Sequence, residues 1–397
     1  MRRPSADGGE TPPPVAVVYN PRVRSAFYQL VLALALLWLG YQFALNAAAN
    51  LGERNIASGL GFLDNTAGFG ISFSLIPYSE TDTYGRAFLV GLLNTLLVSV
   101  LGIVFATLLG FAVGIGRLSS NWLVARIAGG YVELIRNLPL LFQILFWYLA
   151  VLGTLPGPRA SFSLLGAVFI NNRGFLVPAL RPTAGFGYVA AAFCLGVLAT
   201  IVLGLWAKRL RDRTGRRIPI WGKGLALILG LPLAAFVAAG LPLEVELPRL
   251  VGFNFIGGTR IISEFVALLV ALSTYTASFI AEVVRAGILA VPRGQTEAGL
   301  ALGLRRGQLL RLILLPQALR IIVPPLTNQY LNLTKNSSLA VGIGFPDLFA
   351  VFAGTTLNQT GQAIEIIAIT MAVYLLISLV TSLLMNWYNS RVRAFEH

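Results

Sequence analysis

Apolar residues are grouped along this chain into eight long runs separated by short polar segments. The runs lie at about 26–48, 87–115, 130–155, 187–207, 218–240, 265–289, 318–343 and 363–388. As a helix, each run is long enough to cross a hydrocarbon core of about 30 Å. The pattern predicts an all-α, multi-pass membrane protein with about eight transmembrane helices.

The seventh run differs from the others because prolines and polar residues interrupt it, namely Pro324, Pro325, Asn328, Asn332 and Lys335. A membrane helix with such groups is tolerated only within a bundle, where neighbouring helices satisfy the polar groups. We therefore expect the seventh helix to lie inside the bundle.

Composition agrees with a membrane protein and excludes several other classes. Of the 397 residues, 56% are hydrophobic and 12% are charged, which leaves too little polar surface for a soluble globule. The net charge of +14 comes from Lys and Arg clustered between the runs, a pattern typical of cytoplasmic loops and not of a nucleic-acid-binding protein. The single cysteine, Cys194, and the single histidine, His397, exclude disulfide frameworks, zinc clusters and Cys/His catalysis.

The distribution of basic residues predicts the orientation in the membrane. With the N-terminus inside, eight spans place 22 of the 30 Lys and Arg residues in the cytoplasm and 7 outside, with Lys335 within a span. The positive-inside rule then predicts that both termini are cytoplasmic. Residues 1–25, rich in Pro, Gly and Arg, are expected to form a flexible cytoplasmic tail. The segments 154–186 and 241–264 would be external, either as contacts for a soluble protein or as solvated linkers.

A short charged segment between the sixth and seventh runs has a regular spacing of glycine and proline. It contains Glu297, Ala298, Gly303, Arg305, Arg306, Arg311, Ile313, Leu315 and Pro316. A glycine tolerates the left-handed conformation that ends a helix, and a proline ends a second one. The spacing predicts two short helices at an angle, the second running from about Arg305 to Pro316. We interpret the segment as a cytoplasmic docking element; an ordinary solvated loop is the alternative.

This spacing resembles the "EAA" loop of permease subunits from bacterial ATP-binding-cassette (ABC) importers. The consensus of that loop is Glu-Ala-Ala, three residues, Gly, nine residues, Ile, one residue, Leu-Pro. One fixed position differs, because Gly299 stands where the second alanine is expected. Stretches similar to the subfamily that imports polar amino acids are Gly-Leu-Leu-Asn-Thr-Leu at 91–96, Tyr-Val-Glu-Leu-Ile-Arg-Asn-Leu-Pro-Leu at 131–140, and residues 275–288, 315–320 and 335–339.

The resemblance also indicates how the chain is organised. The five-span core of the family corresponds to 86–155 and 263–390, while the three further spans and the run 330–339 resemble the longer permeases of general L-amino acid importers. The expected division is a tail (1–25), an extra helix with an external segment (26–85), the first part of the core (86–155), an insertion with two extra helices (156–262), and the second part of the core (263–397), which contains the coupling loop (292–316).

The resemblance implies a subunit of an importer that moves L-amino acids across the bacterial inner membrane. Its implied partners are a second, different but related permease, two ATPase subunits that bind ATP and Mg, and a periplasmic amino-acid-binding protein. This chain has no Gly-x-x-x-x-Gly-Lys-Ser/Thr loop, because Arg217 and Gly224 occupy required positions around Gly222-Lys223. We expect it to hydrolyse no ATP and to hold no cofactor or metal.

Six polar residues within the predicted spans are candidates for a substrate pathway: Tyr275, Ser278 and Glu282 on one face of the sixth span, and Asn328, Asn332 and Lys335 on one face of the seventh. Charged groups in a membrane are expensive and functional by default, and structural pairing within the bundle is the alternative. At about 1.5 Å per residue, Glu282 and Lys335 would lie near opposite boundaries, so we expect no direct pair.

Two other classes of protein fit an apolar, multi-pass chain. A secondary transporter of small polar solutes often has paired repeats and paired broken helices, but one broken helix here has no evident partner. A membrane-bound enzyme or sensor needs a catalytic constellation or a soluble output domain, and the sequence contains neither. The sequence favours the importer subunit.

Overall fold

The computed structural model describes residues 21–53, 59–215 and 221–393. Within these ranges the α-helices are α1 (Pro21–Glu53), α2 (Tyr84–Gly116), α3 (Trp122–Asn137), α4 (Leu140–Leu145), α5 (Phe186–Thr214), α6 (Trp221–Ala238), α7 (Ser263–Leu289), α8 (Arg293–Ala301), α9 (Arg306–Leu309), α10 (Leu315–Asn336), α11 (Leu357–Thr360) and α12 (Ala363–Arg393). Short 3₁₀ and π-helical turns extend several of them.

The multi-pass helical architecture is confirmed. Six helical segments of the described residues are long and apolar enough to cross a membrane: Val23–Phe43, Tyr84–Gly116, Phe186–Thr214, Ser263–Leu289, Gly307–Ile343 and Ala363–Ser390. A bent pair of helices makes a seventh span when it is counted as one. The remaining predicted span corresponds to α6, whose apolar part, Gly222–Ala238, is shorter than the others.

The predicted N-terminal tail lies mostly outside the described residues. Helix α1 already begins at Pro21, a few residues earlier than the run of apolar side chains suggested, since proline fits the first turn of a helix. Its apolar side chains, such as Leu37, are exposed in the isolated chain, as expected for a helix that faces lipid. Arg216, Arg217 and residues 394–397 also lie outside the described residues.

Helices α2 and α7 form the most extensive helix pair of the bundle. Two glycines of α2 allow the close approach, because Gly110 lies against Ile280 and Gly114 lies against Val284. A Cβ atom added at Gly114 would lie only 2.8 Å from the carbonyl oxygen of Ala281. Lipid is as apolar as these side chains, so helix association in a membrane depends on such close van der Waals packing.

Helix α10 packs on the same pair through one face, as predicted for the seventh run. Leu333 is fully buried and lies against Gly102 of α2. The hydroxyl groups of Thr107 and Tyr330 form a hydrogen bond of 2.9 Å between α2 and α10. Pro324 and Pro325 lie inside α10 without ending it. The opposite face of α10 stays exposed in the isolated chain.

The predicted third span is a bent pair of helices instead of one straight helix. Between α3 and α4 the chain is extended at Leu138, and the helix direction bends by 107° between Trp122–Asn137 and Leu140–Leu152. Pro139 disfavours a helical conformation of the preceding residue, which accounts for the break. The Gln143 side-chain amide donates to the carbonyl oxygens of Ile135 and Leu138, at 2.9 and 3.0 Å, and so satisfies acceptors that the break leaves free.

The prediction that Pro316 ends the second helix of the coupling loop is wrong. Helix α9 continues through a π-helical turn, Leu310–Leu314, into α10. The amide of Leu315 donates to the carbonyl of Leu310, five residues earlier. The wider turn gives the proline ring space beside the preceding carbonyl groups, which a regular α-helix does not offer.

The two segments predicted to be external fold together into a strand-rich lobe, residues 156–183 and 241–262. Its strands are β1 (Phe162–Leu164), β2 (Val168–Asn171), β3 (Gly174–Val177), β4 (Ala179–Pro182), β5 (Leu243–Glu246), β6 (Arg249–Val251), β7 (Asn254–Ile256) and β8 (Thr259–Ile261). All pairs are antiparallel, in the orders β1-β2-β3-β8, β4-β5 and β6-β7. The all-α description therefore applies only to the spanning part. The strands were not predicted because strands of three or four residues are too short to show an alternating pattern of apolar and polar residues.

Helices α5 and α6 form an antiparallel hairpin that packs mainly on itself. Gly196 makes the contact close, because a Cβ atom there would lie 2.5 Å from the Leu227 carbonyl oxygen. The Thr200 hydroxyl donates to the carbonyls of Gly196 and Gly224, at 2.8 and 3.3 Å. The insertion thus adds a separate helical pair beside the core and a lobe at its end.

The contact at Gly114 predicts a local effect of a single methyl group. Gly114→Ala should destabilise the protein by about 1–3 kcal/mol, because the new methyl overlaps a backbone carbonyl that cannot rotate away. Gly116→Ala is the matched control on the same helix, where a Cβ atom meets its nearest neighbour at 3.6 Å, an ordinary contact. Thermal unfolding of the purified protein measures the difference, and equal midpoints for both variants would contradict this account of the pair.

Candidate functional site

The coupling loop begins with α8 and a sharp turn at the predicted glycine. Gly303 has a φ of +77°, the left-handed conformation that glycine adopts without strain. Its amide donates to the Leu300 carbonyl at 2.9 Å, and the Leu304 amide donates to the Gly299 carbonyl at 3.2 Å. This pair of bonds is the Schellman motif, which ends a helix and satisfies its last carbonyl groups. The predicted hinge is therefore present at Gly303.

The second arm of the loop starts directly after this turn. The Gln308 side chain accepts a hydrogen bond of 3.0 Å from the Arg305 amide, which satisfies an amide at the start of α9. A side-chain bond of 3.3 Å joins Gln317 of α10 to Gln295 of α8. The second of these bonds joins the two arms of the loop.

Gly299, where the loop differs from the family consensus, is buried between the two arms. A Cβ atom there would lie 2.4 Å from Leu309 Cδ1 and 3.1 Å from Ile313 Cδ1. Leu309 is itself 4% exposed. The absence of a side chain at Gly299 therefore lets α8 approach the second arm closely. The predicted residue Ile313 is part of this contact.

The other predicted residues of the loop are arranged around this contact. Glu297, Ala298, Arg305 and Pro316 are exposed, and Leu315 is half-buried. Arg306 is the first residue of α9. Leu300 and Leu302 are also exposed, Leu302 to 80%. The turn thus presents apolar side chains beside charged ones, a composition suited to contact with another protein.

The coupling loop and the strand-rich lobe lie at opposite ends of α7. Strand β8 ends at Ile261, just before α7 begins, and α8 begins at Arg293, just after α7 ends. The 27 residues of α7 span about 40 Å, which exceeds the thickness of a hydrocarbon core. The protein therefore has two separate polar ends joined by its most buried helix.

On α7, the three predicted pathway residues have different environments. Ser278 is fully buried, and its hydroxyl donates to the Tyr275 carbonyl at 2.6 Å. Tyr275 is half-buried and lies against the ring of Phe279, with centroids 5.0 Å apart. Glu282 is an ion-pair partner of Arg117 and of Arg285. Of the two alternatives for Glu282, a pathway role or pairing within the bundle, the structure thus shows the pairing.

On α10, Asn328, Asn332 and Lys335 form one exposed face. The Lys335 ammonium has no hydrogen-bond or ion-pair partner among the described residues, and Glu282 pairs elsewhere. Lys335 lines a cavity of about 410 Å³ with Phe349, Ser338 and Tyr374. The structure therefore does not bring the two predicted sets together within this chain. The polar face of α10 remains unsatisfied, although it belongs to a membrane-spanning helix.

Asp347 is a buried carboxylate that the sequence analysis missed. It is fully buried, accepts a hydrogen bond of 2.8 Å from the Ala350 amide, and accepts another of 3.1 Å from the Tyr374 hydroxyl. The neighbouring Leu348 amide donates to Thr95 of α2 at 2.9 Å. An acidic residue that follows a proline and precedes an apolar helical run is a signal for a helix N-cap, and it could have identified Asp347.

This arrangement, a bundle of apolar helices with a hinged loop at one end and an unpartnered polar face within the membrane, defines a membrane transport subunit that works with other chains. The family model for binding-protein-dependent transport system inner membrane components matches residues 196–394. The chain belongs to this family. Membership makes it a component of an ABC transport complex in the inner membrane, with partner subunits.

Three curated relatives match almost the whole chain. The general L-amino acid transport system permease protein AapQ of Rhizobium johnstonii is 51% identical over 96% of this chain and 95% of its own length. The putative amino-acid ABC transporter permease protein YhdX of Escherichia coli is 52% identical over 95% and 96%. The glutamate/glutamine/aspartate/asparagine transport system permease protein BztB of Rhodobacter capsulatus is 43% identical over 96% of each chain.

The ion pairs of Glu282 predict a contrast in stability between two charge-removing substitutions. Glu282→Gln removes the charge that compensates Arg117 and Arg285, so it should destabilise the protein by about 1–3 kcal/mol. Lys335→Met removes an unpaired charge and should leave the thermal midpoint unchanged. Thermal unfolding of the purified variants distinguishes them, and a midpoint of Glu282→Gln equal to that of the wild type would show that the ion pairs do not stabilise the protein.

Proposed function

We propose that this chain is the permease subunit of an ABC importer that moves L-amino acids into the cytoplasm. The observation that supports this most directly is the hinged coupling loop, with Gly303 in the left-handed conformation at the end of α7 opposite the lobe. The names of the three relatives support amino acids as the cargo. We infer that the cargo is small and polar, which agrees with the uncharged and charged polar groups of α10.

The coupling loop is the proposed docking element for an ATPase. Its exposed Leu302 and the neighbouring arginines Arg305 and Arg311 offer an apolar contact with a basic rim. A groove on the ATPase would receive the loop, and closure of the ATPase subunits around ATP and Mg would move it. Because α8 is tied to α10 through Gln295 and Gln317, such a movement would reach the spanning helices directly. The chain would itself hydrolyse no ATP.

The polar face of α10 supports a second permease chain. Charged and polar side chains on a spanning helix are unfavourable against lipid, so we infer that Lys335, Asn328 and Asn332 do not face it. They face a water-filled pathway that a related, different permease closes from the other side. Of the six predicted pathway residues, these three retain the role of lining it. Lys335→Met is then expected to slow uptake in a fully assembled complex.

The lobe supports an external site for a periplasmic amino-acid-binding protein. Because the lobe and the coupling loop lie at opposite ends of α7, an ATPase in the cytoplasm places the lobe outside. The excess of Lys and Arg on the side of the coupling loop supports the same orientation, with both termini in the cytoplasm. The secondary transporter is disfavoured, since it has no use for a hinged docking loop or for an external binding protein.

Gly303 provides the test of the coupling loop. Gly303→Val forces a β-branched residue into the left-handed conformation, with a strain of about 1–3 kcal/mol, although no atom lies near the new Cβ. We expect ATP hydrolysis stimulated by the loaded binding protein to fall about tenfold, which corresponds to about 1.4 kcal/mol. Gly303→Asn should retain most of the stimulation, because asparagine tolerates this conformation.

Gly307→Val is the matched control for this experiment. Gly307 lies four residues further along the same loop, in α9, with equally open space around it and no need for a positive φ. It should couple normally. If Gly303→Val is stimulated as strongly as Gly307→Val in an intact complex, the hinge does not transmit the movement of the ATPase.

A further inference from the structure

A second polar site lies between α3 and the part of α7 nearest the coupling loop. It is a cavity of about 340 Å³ whose lining includes Arg117 and Glu282 on one side and Glu133, Arg136 and Asn137 on the other. Glu282 is seven residues, or about 10 Å, from the last residue of α7. The cavity therefore lies at the end of the bundle that carries the coupling loop. Neither the coupling loop nor the polar face of α10 includes any of these residues.

On the Glu282 side of the cavity, the carboxylate is paired within the chain. Arg117 donates to Oε2 of Glu282, while Nη2 and Nε of Arg285 donate to Oε1 at 2.6 and 3.2 Å. Both carboxylate oxygens are thus bound within the chain. The Glu282 carboxylate is therefore not available to a ligand, while the two arginines leave this side of the cavity with a net positive charge.

The side formed by α3 carries exposed charges of both signs that are not paired with each other. Glu133, Arg136 and Asn137 are at i, i+3 and i+4, so they share one face of α3. Among the described residues, Glu133 and Asn137 have no hydrogen-bond or ion-pair partner. The guanidinium of Arg136 contacts the face of Phe279, with Cζ 4.9 Å from the ring centroid. Glu133 and Arg136 lie one helical turn apart, yet they are not paired with each other.

Neighbouring contacts fix the position of α3 and of the Arg136 guanidinium. The Tyr131 hydroxyl donates to the Thr274 carbonyl of α7 at 2.7 Å, which ties α3 to α7 just beside the cavity. Gln143 holds the break after α3 through its two hydrogen bonds to backbone carbonyls. Phe279 leaves the edges of the Arg136 guanidinium free, and those edges are what bind a carboxylate in a bidentate manner.

We propose that this cavity binds a zwitterionic α-amino acid, with its α-carboxylate on Arg136 and its α-ammonium on Glu133. An α-amino acid has both charges on one carbon atom, and the free groups on α3 offer opposite charges within one helical turn. The volume is at the lower end of the range of small-molecule sites, which suits a single amino acid. The inference rests on the proposed function: the site is where the cargo binds at the end of the pathway nearest the ATPase.

The test is equilibrium dialysis of the complete, purified complex with radiolabelled L-glutamine, without the binding protein and without nucleotide. The wild type should bind the amino acid saturably. Arg136→Gln and Glu133→Gln should each weaken binding at least about tenfold, since each removes one charge-assisted contact. Arg126→Gln is the matched control, because Arg126 is an exposed arginine of the same helix that does not line the cavity.

Competition distinguishes a ligand site from a structural role of the same residues. Unlabelled L-asparagine, which has the same α-carbon groups, should displace L-glutamine, whereas γ-aminobutyrate, whose charges are further apart, should not. Arg136→Lys should restore part of the binding that Arg136→Gln loses. If a variant does not assemble, competition with the wild-type complex tests the proposal. The proposal is contradicted if γ-aminobutyrate displaces L-glutamine as effectively as L-asparagine does.

Uptake of L-glutamine by the wild-type complex in proteoliposomes with the binding protein is measured in parallel. If uptake occurs while the complex alone binds nothing, or while both variants bind as the wild type does, the cavity is not an amino-acid site and the proposed function stands. If the wild type imports no L-amino acid from a labelled panel, the proposed function itself fails.

Discussion

The close contact between α2 and α7 sets the geometry of the rest of the protein. Gly110 and Gly114 let the backbone of α2 reach side chains and carbonyl oxygens of α7 at distances that a Cβ atom would prevent. In a membrane such contacts replace the hydrophobic effect as the reason for association. Because α7 joins the lobe to the coupling loop, its fixed position on α2 places both ends of the protein.

The polar and charged side chains of the helical bundle fall into two groups, those with partners within the chain and those without. The Glu282 carboxylate is paired with Arg117 and Arg285 within the chain, and the buried Asp347 is bound by an amide and a hydroxyl group. The polar face of α10 and the charged face of α3 are left without such partners. The first group stabilises the bundle. The second group remains free for the proposed contacts with a partner permease and with the cargo.

The helical spans and the hinge could be predicted because their signals are local. Each apolar run is long enough to cross a bilayer. The glycine that follows the short helical segment beginning at Glu297 is sufficient to predict the turn at Gly303. The strands of the lobe have three or four residues and pair with partners far along the chain, as Phe175 does with Ile261, so no local pattern reveals them. The structure differs most from expectation at two prolines. At Pro316 a π-helical turn replaces the expected end of the helix. At Pro139 a bend replaces the expected straight helix.

The functional residues show the same limit. The sequence identified Glu282 and Lys335 as expensive charges, but only the structure shows that one is paired and the other is not. The stretch 131–140 was informative only as a resemblance. Its unpaired Glu133 and Arg136 acquire meaning from the cavity that α7 closes.

Site-specific photocrosslinking from the position of Leu302 tests the central claim most directly, namely that the coupling loop binds the ATPase. A photoreactive amino acid in place of the 80% exposed Leu302 should crosslink to the ATPase subunit in the assembled complex. The same group in place of Leu165, 96% exposed in the lobe, should not. A crosslink from Leu302 to the external binding protein, or from Leu165 to the ATPase, would contradict the account.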